Sequence, residues 1–336
     1  MHDHVSVSSV KTLLVYGALG YTGRMVAGQA KIAGIDVVIA GRDEQRLASL
    51  AQELDVPYRV FSLDGDLTSE HFAGIHTVLN CAGPFVHTAK PLIRACLAYG
   101  MHYLDITAEI GVYRLAESLA AAASGAGVMV MPGVGWDVVP TDSLAMQVMD
   151  RVTDPVSLRI ALKVAGGMSR GSAVSASEIV SAGILARVDG ELVARPDAPS
   201  ALFDFGEGAV DCFPLSFGDL VTAWHSTRIR NIAMFVHVTG DGFPEGDLSL
   251  LPDGPTPEQR DAHDAAAVVE VTSADGTVTR AIIETINGYS YTPLAAVEAA
   301  RRVLEGDWRP GFETPARVFG AGFAETIAGT RVTHLT

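Results

Sequence analysis

Between Lys11 and Arg42 the hydrophobic pattern changes character twice. Thr12 to Tyr16 is a short apolar, β-prone run that stops at Gly17, a helix-length segment follows, and Ile35 to Ala40 is a second strand-like run ending in Gly41-Arg42. The stretch therefore predicts strand, glycine turn, helix and strand, the order of a βαβ unit. The alternation continues downstream. Glu44 to Leu54 has apolar or small residues at helical spacing, Tyr58 to Phe61 follows Pro57 as a strand ending near Asp64, and a short helix is expected after Thr68. Thr77 to Asn80, Met101 to Ile106 and Val128 to Met131 read as strands, with helices at Lys90 to Tyr99 and Glu109 to Ala123. Six strands alternating with helices predict an α/β fold, a Rossmann-type doubly wound parallel sheet over residues 1–150.

After about residue 150 the pattern becomes that of a second, α+β domain, expected over 151–289 with a mixed or antiparallel sheet. Val156 to Ala165 is strand-like, Ser169-Arg170-Gly171-Ser172 leads into a helix running towards Leu185, and Ile229 to Thr239 is another strand. Asp189-Gly190 and Asp275-Gly276 sit between strand-prone runs and predict hairpins. Gly240 to Pro257 reads as a loop. Tyr291-Thr292-Pro293 opens an amphipathic helix through Leu304, with Pro293 in a favourable first-turn place, and 290–336 is expected to return and complete the first domain. There is no internal repeat.

Composition narrows the function classes. Apolar residues make up 48% and charged residues 19% of the 336, as in a globular protein. A net charge of −15 with only four lysines argues against nucleic-acid or anionic-membrane partners. Cys81, Cys96 and Cys212 are odd in number and widely spaced, which argues against a disulfide framework and fits a reducing cytoplasm. No Cys/His set has metal-ligand spacing, and His2-Asp3-His4 reads as a frayed terminus. No run is long enough to span a bilayer and no leader is apparent, so a cytoplasmic protein is expected.

The candidate chemistry sits at strand ends. Gly17, Gly20 and Gly23 have GxxGxxG spacing between a strand and a helix, where glycine permits the turn, the approach of a pyrophosphate and helix–strand packing. Leu19, Tyr21 and Thr22 lie in the same turn, so all six are expected at a dinucleotide. Where NAD-selective sites place a carboxylate, this chain has Gly41-Arg42, and a guanidinium suits the 2′-phosphate of NADP; Asp43 follows one residue later. Asp64, at the end of the third strand, and Cys81-Ala82-Gly83-Pro84-Phe85, at the end of the fourth, are further cofactor-binding candidates. Strands five and six end in polar clusters containing Tyr103, Asp105, Trp136 and Asp137. Asp105, Asp137 and Tyr103 are candidates for proton transfer, with helix capping as the competing explanation for the carboxylates. Trp136 and Ser172 are candidates for substrate binding, although Ser172 also suits an N-cap.

GALGYTGRMVA, the AGR end of the second strand, NCAGPF, AKPLIRACLAYGMHYLDITAE and PGVGWDVVPTD together resemble the saccharopine dehydrogenase-like family of NADP-binding oxidoreductases, including its trans-acting enoyl reductase branch. The resemblance is specific over residues 11–145 and weaker afterwards. It implies a Rossmann domain with a mixed α/β substrate domain, and NADPH bound through Gly17, Gly20, Gly23, Arg42 and the Gly83 loop. No tyrosine has a lysine four residues on, which sets aside a short-chain dehydrogenase mechanism. The expected function is an NADPH-dependent reductase delivering hydride to a C=C or C=N bond of a mostly apolar small molecule, in a homodimer. The alternatives are an amino-acid-linked C–N dehydrogenase of the saccharopine type and an NADP(H)-binding sensor or scaffold without turnover.

Overall fold

The computed structural model describes residues 11–165, 167–239, 247 and 250–335. The first half alternates strand and helix: β1 (Thr12–Tyr16), α1 (Tyr21–Ile32), β2 (Val37–Gly41), α2 (Glu44–Leu54), β3 (Tyr58–Val60), β4 (Ile75–Asn80), α3 (Phe85–Tyr99), β5 (His102–Asp105), α4 (Ile110–Ser118), α5 (Ala120–Gly125), β6 (Met129–Met131) and α6 (Val139–Met149). Leu13, Leu14 and Val15 of β1 and Val78 and Leu79 of β4 are fully buried, because helices cover both faces of a parallel sheet.

The second half carries β7 (Pro155–Ala165), α7 (Arg170–Ser181), β8 (Leu185–Val188), β9 (Glu191–Ala194), β10 (Ala201–Asp204), β11 (Ala209–Pro214), α8 (Asp219–Thr227), β12 (Ile232–Thr239), α9 (Pro257–Asp261), β13 (Ala265–Ser273), β14 (Val278–Thr285), α10 (Gly288–Glu305), β15 (Gly311–Phe312), α11 (Pro315–Phe319) and β16 (Arg331–Leu335).

The first sheet runs β15-β6-β5-β4-β1-β2-β3 and is parallel throughout. The strand order reverses between β1 and β4, so the glycine turn and the Asn80–Phe85 loop leave the sheet side by side. The second sheet follows β10-β11-β12-β7-β13-β14-β16, with β8 and β9 paired off β12. It is mixed, since β12 and β7 are parallel and their outer neighbours antiparallel. α6 packs on β13 and β14, and α10 packs on α1, so the two sheets share their helices. No helix of the described residues is long and apolar enough to cross a membrane.

Several boundaries differ from expectation for physical reasons. α3 begins at Phe85 rather than Lys90, because the Glu109 carboxylate, distant in sequence, accepts from the Phe85 and Val86 amides at 2.9 and 2.7 Å. The expected helix over Glu109 to Ala123 is broken into two at Leu119. α7 ends at Ser181, and Leu185 already starts β8. α10 begins at Gly288 under an Asn287 cap, which puts Pro293 a turn further in. The tail divides: β15 joins the first sheet, whereas β16 pairs with β14 in the second, so 290–336 does not belong wholly to the first. His2, Asp3 and His4, and half of the loop expected over 240–257, lie outside the described residues.

Candidate functional site

A cavity of about 990 Å³ extends from the glycine turn of the first sheet to the face of the second. At its first end β1 stops and Gly17 takes φ +83°, a conformation that favours glycine; a Cβ there would also lie 2.7 Å from Ala82. A Cβ on Gly23 would lie 2.2 Å from the Gly17 carbonyl oxygen, so α1 can approach the turn only with glycine in its first turn. Gly20 is the N-cap residue of α1 and supplies no side-chain cap, and no acidic residue lies in the first turn. The leading amides of α1 are left open at the cavity, at the positive end of the helix dipole. The start of α3 is closed by Glu109. Of the two helix starts beside the strand-order reversal, that of α1 is the one whose amides are left open among the described residues, as an anion would require.

At the end of β2, Arg42 and Arg46 both line the cavity, are exposed, and pair with no carboxylate among the described residues. Asp43 is committed elsewhere: its Oδ1 accepts from Arg46 N at 3.0 Å and caps α2. Two open guanidinium groups beside an engaged carboxylate suit a phosphate ester better than a ribose diol. Across the mouth, the Tyr21 hydroxyl donates to the Pro255 carbonyl and accepts from Arg260 Nη1 at 2.6 Å. Arg170 Nη2 donates to the Leu251 carbonyl at 2.8 Å and lies 3.2 Å from Asp253 Oδ1. The segment from Leu251 to Arg260 is thereby tied to the starts of both α1 and α7.

Residues 13–131 match the saccharopine dehydrogenase NADP binding domain. Over these residues, about a third of its length, the chain is similar to that family's NADP-binding domain. A trans-acting enoyl reductase of Mycobacterium leprae is 31% identical over 153 residues, covering 42% of this chain and 36% of that protein. A putative trans-acting enoyl reductase of Mycobacterium tuberculosis is 30% identical over 139 residues, covering 39% and 33%. The matches thus span about a third of the length of these curated relatives. Among solved structures, saccharopine dehydrogenase (L-Glu forming) from Saccharomyces cerevisiae superposes with a TM-score of 0.65 at 14% identity, over 97% of this chain and 100% of that one. The fold is shared through both domains.

The predicted cofactor residues Gly17, Leu19, Gly20, Tyr21, Thr22, Gly41, Arg42, Cys81, Ala82, Gly83 and Phe85 line the cavity. Gly23 lies behind the turn, and Pro84 is the residue on which α3 starts. Asp64 does not reach the cavity; it sits exposed in the turn after β3, where its Oδ2 accepts from Ser62 Oγ at 3.2 Å. Burial pushes the Cys81 thiol far up, which leaves it a packing group.

The carboxylates part company. Asp105 is fully buried and does not line the cavity. Its Oδ1 accepts from Thr107 N at 3.1 Å and Gly133 N at 2.9 Å, and its Oδ2 accepts from the Tyr103 hydroxyl at 2.9 Å. Burial raises its carboxyl to about 7 against the lowering effect of the two amides. Tyr103 is equally buried and accepts from Asn80 Nδ2 at 3.2 Å, while Asn80 Oδ1 holds the Ala82 amide at 3.0 Å. Both residues were candidates for proton transfer, and the geometry corrects that expectation. They are posts of a buried network that fixes the Ala82 and Gly133 loops, out of reach of a ligand.

Asp137 does line the cavity, and burial pushes its carboxyl up to about 6 against its own backbone amide. Trp136 lies beside it, with its backbone N–H donating to Thr292 Oγ1 at 3.1 Å and its indole N–H to Thr285 Oγ1 at 2.8 Å. Ser172 also lines the cavity, but the cap of α7 is Ser169, whose Oγ accepts from Ser172 N at 3.1 Å. Leu162 and Val164 of β7 and Val236 and Val238 of β12 make the far wall apolar, with Leu215 and Phe217 completing it. Sequence reasoning missed this wall, Arg46 and Tyr289. Arg46 was findable as the residue one helical turn beyond Arg42; nothing local marks Tyr289.

Proposed function

We propose that this chain is an NADPH-dependent reductase acting on a polarised C=C bond of a mostly apolar small molecule. The observation that carries the reading is the continuity of the cavity. It leads from an open helix start and two arginines unpaired among the described residues, past the small residues Ala82 and Gly83, to an apolar chamber with one partly buried carboxyl, Asp137. The α1 amides would hold the pyrophosphate, Arg42 and Arg46 the 2′-phosphate, and Ala82-Gly83 would leave room for the nicotinamide ribose. When bound, NADPH supplies the hydride. The chain's own tasks are to orient the acceptor, exclude water behind the wall from Leu162 to Val238, and deliver a proton from Asp137.

The trans-acting enoyl reductases among the relatives favour C=C over C=N as the bond. An amino-acid-linked C–N dehydrogenase needs a free cation for the substrate carboxylate. Beyond Arg42 and Arg46 the only cation lining the cavity among the described residues is Arg170, and it is engaged by Leu251 and Asp253. A sensor without turnover has no use for a proton-bearing carboxyl in an apolar chamber. We place a homodimer and a cytoplasmic setting in the same reading, with sedimentation as the check on the dimer.

The test is titration with NADPH and NADH, followed by NADPH consumption against enoyl thioesters, enones, imines and keto acids. Binding selective for NADPH and oxidation by the enoyl or enone compounds supports the reading. Oxidation by imines of amino acids alone transfers it to the C–N class, and failure to bind NADPH overturns it.

A further inference from the structure

Two tyrosines meet over the cavity. Tyr21, from the glycine turn, and Tyr289, from the start of α10, lie edge to face with ring centroids 5.5 Å apart. Their hydroxyls are in opposite states. That of Tyr21 is complete, since it donates to Pro255 and accepts from Arg260. That of Tyr289 only accepts, from the backbone N–H of Ser169 at 2.8 Å, and its hydrogen has no acceptor among the described residues. A phenol whose oxygen is held by an amide has its O–H direction restricted and still has a proton to donate. Tyr289 lines the cavity on the same side as the chamber carboxyl: Thr292, three residues on, binds the Trp136 amide, and a Cβ on Gly288 would lie 3.4 Å from the Trp136 ring.

Of the other polar groups at this end, Asn287 gives Nδ2 to the His263 carbonyl and takes the Tyr289 amide on Oδ1, and Ser175 donates to Glu109. The Thr292 and Ser172 hydroxyls accept from Trp136 N and Ser169 Oγ and, like Tyr289, keep a hydrogen without an acceptor among the described residues, but the phenol is the stronger acid and so the stronger donor. The geometry points to Tyr289 as the group that donates a hydrogen bond to the substrate, and therefore to a substrate whose reducible C=C bond is conjugated to a carbonyl oxygen. This deepens the reductase reading and rests on it. In such a substrate the carbon remote from the carbonyl takes the hydride and the π pair moves onto the carbonyl oxygen. The nearer carbon takes a proton from Asp137, and NADPH is oxidised to NADP. The Tyr289 O–H meets the oxygen as negative charge gathers there, so its bond strengthens in the transition state.

Tyr289→Phe keeps the ring and its contact with Tyr21 and removes only the hydroxyl. The probes are 2-cyclohexen-1-one and a crotonyl thioester, with NADPH binding followed in parallel by its fluorescence. The expected result is unchanged NADPH affinity, with kcat/KM lowered roughly 10- to 100-fold, mostly in kcat. Tyr289→His, which restores an N–H donor on a ring, should recover part of the loss. Unchanged kcat/KM in Tyr289→Phe with active wild type overturns this assignment and leaves the reductase reading standing. Loss of NADPH affinity in step with activity assigns Tyr289 to cofactor packing and overturns it too. Wild type that binds NADPH but consumes neither probe removes the C=C reading, and this inference with it.

Discussion

At the end of the cavity beside the glycine turn, the polar groups are open to solvent: the leading amides of α1 and the exposed arginines at 42 and 46. At the far end the walls are aliphatic, and the polar groups are few and mostly satisfied by one another. The first arrangement suits an anion that brings its own charge and sheds water only in part. The second suits a neutral ligand, because a charge placed there would be desolvated without a counter-ion. On the proposed reading, the contrast separates binding energy, concentrated at the cofactor end, from the control of chemistry, assigned to a carboxyl raised by burial and a hydroxyl with a spare hydrogen.

Between the two ends, the buried network at Asp105 fixes both loops, and its loss should have the largest effect. Asp105→Ala strands the Thr107 and Gly133 amides and the Tyr103 hydroxyl in the core. The expected cost is about 3–5 kcal/mol of stability, visible as an unfolding midpoint lowered by about 5–15 °C. Molecules that remain folded should bind NADPH and turn over at near wild-type rates. Normal stability with abolished turnover would return Asp105 to a chemical role.

Asp137 sharpens the comparison from the other side. Asp137→Asn should lower kcat by roughly 100-fold, the scale of a lost general acid, with NADPH affinity unchanged. In the wild type the donating form is protonated, so kcat/KM should fall as pH rises through about 6, and that limb should vanish in the variant. The Asp137 contribution to stability moves the same way with pH as turnover. A carboxyl whose folded value lies above its unfolded value binds its proton more tightly in the folded state, so folding is disfavoured above pH 6 and relieved as pH falls towards 4. Asp137→Asn should therefore unfold at a higher temperature than wild type at pH 8, with the gap closing by pH 4. Equal unfolding midpoints at pH 8 would mean that the Asp137 carboxyl is well solvated.

Much of the cofactor end was legible in the sequence because its signals are local. β1, α1 and β2 follow from apolar runs around Gly17, Gly20 and Gly23, and α2 runs over the residues expected from its spacing, Glu44 to Leu54. The far end was not legible, because its features are made by residues far apart in the chain. Glu109 starts α3 across 24 positions, Tyr289 meets Ser169 across 120, and the apolar wall is assembled from β7 and β12. Asp105 and Asp137 look alike as acids at the ends of neighbouring strands. What separates them is the Gly133 amide and the Tyr103 hydroxyl, which claim Asp105 and leave Asp137 to the cavity.

The smallest effect expected is at the arginines, because exposed ion pairs are screened by solvent and salt. Arg42→Ala and Arg46→Ala together should weaken NADPH by about 1–2 kcal/mol, roughly 5- to 30-fold, while NADH, lacking the 2′-phosphate, binds as before. Each single variant should lose less than half of this in free energy if either guanidinium can partly cover the phosphate for the other. The NADPH loss should shrink as ionic strength rises, which distinguishes a charge contact from damage to α2. If NADPH and NADH weaken equally, or if the loss is indifferent to salt, the arginines act through the fold of the α2 start. The phosphate preference would then have to come from the α1 amides alone, which on the proposed reading would meet the pyrophosphate common to both nucleotides.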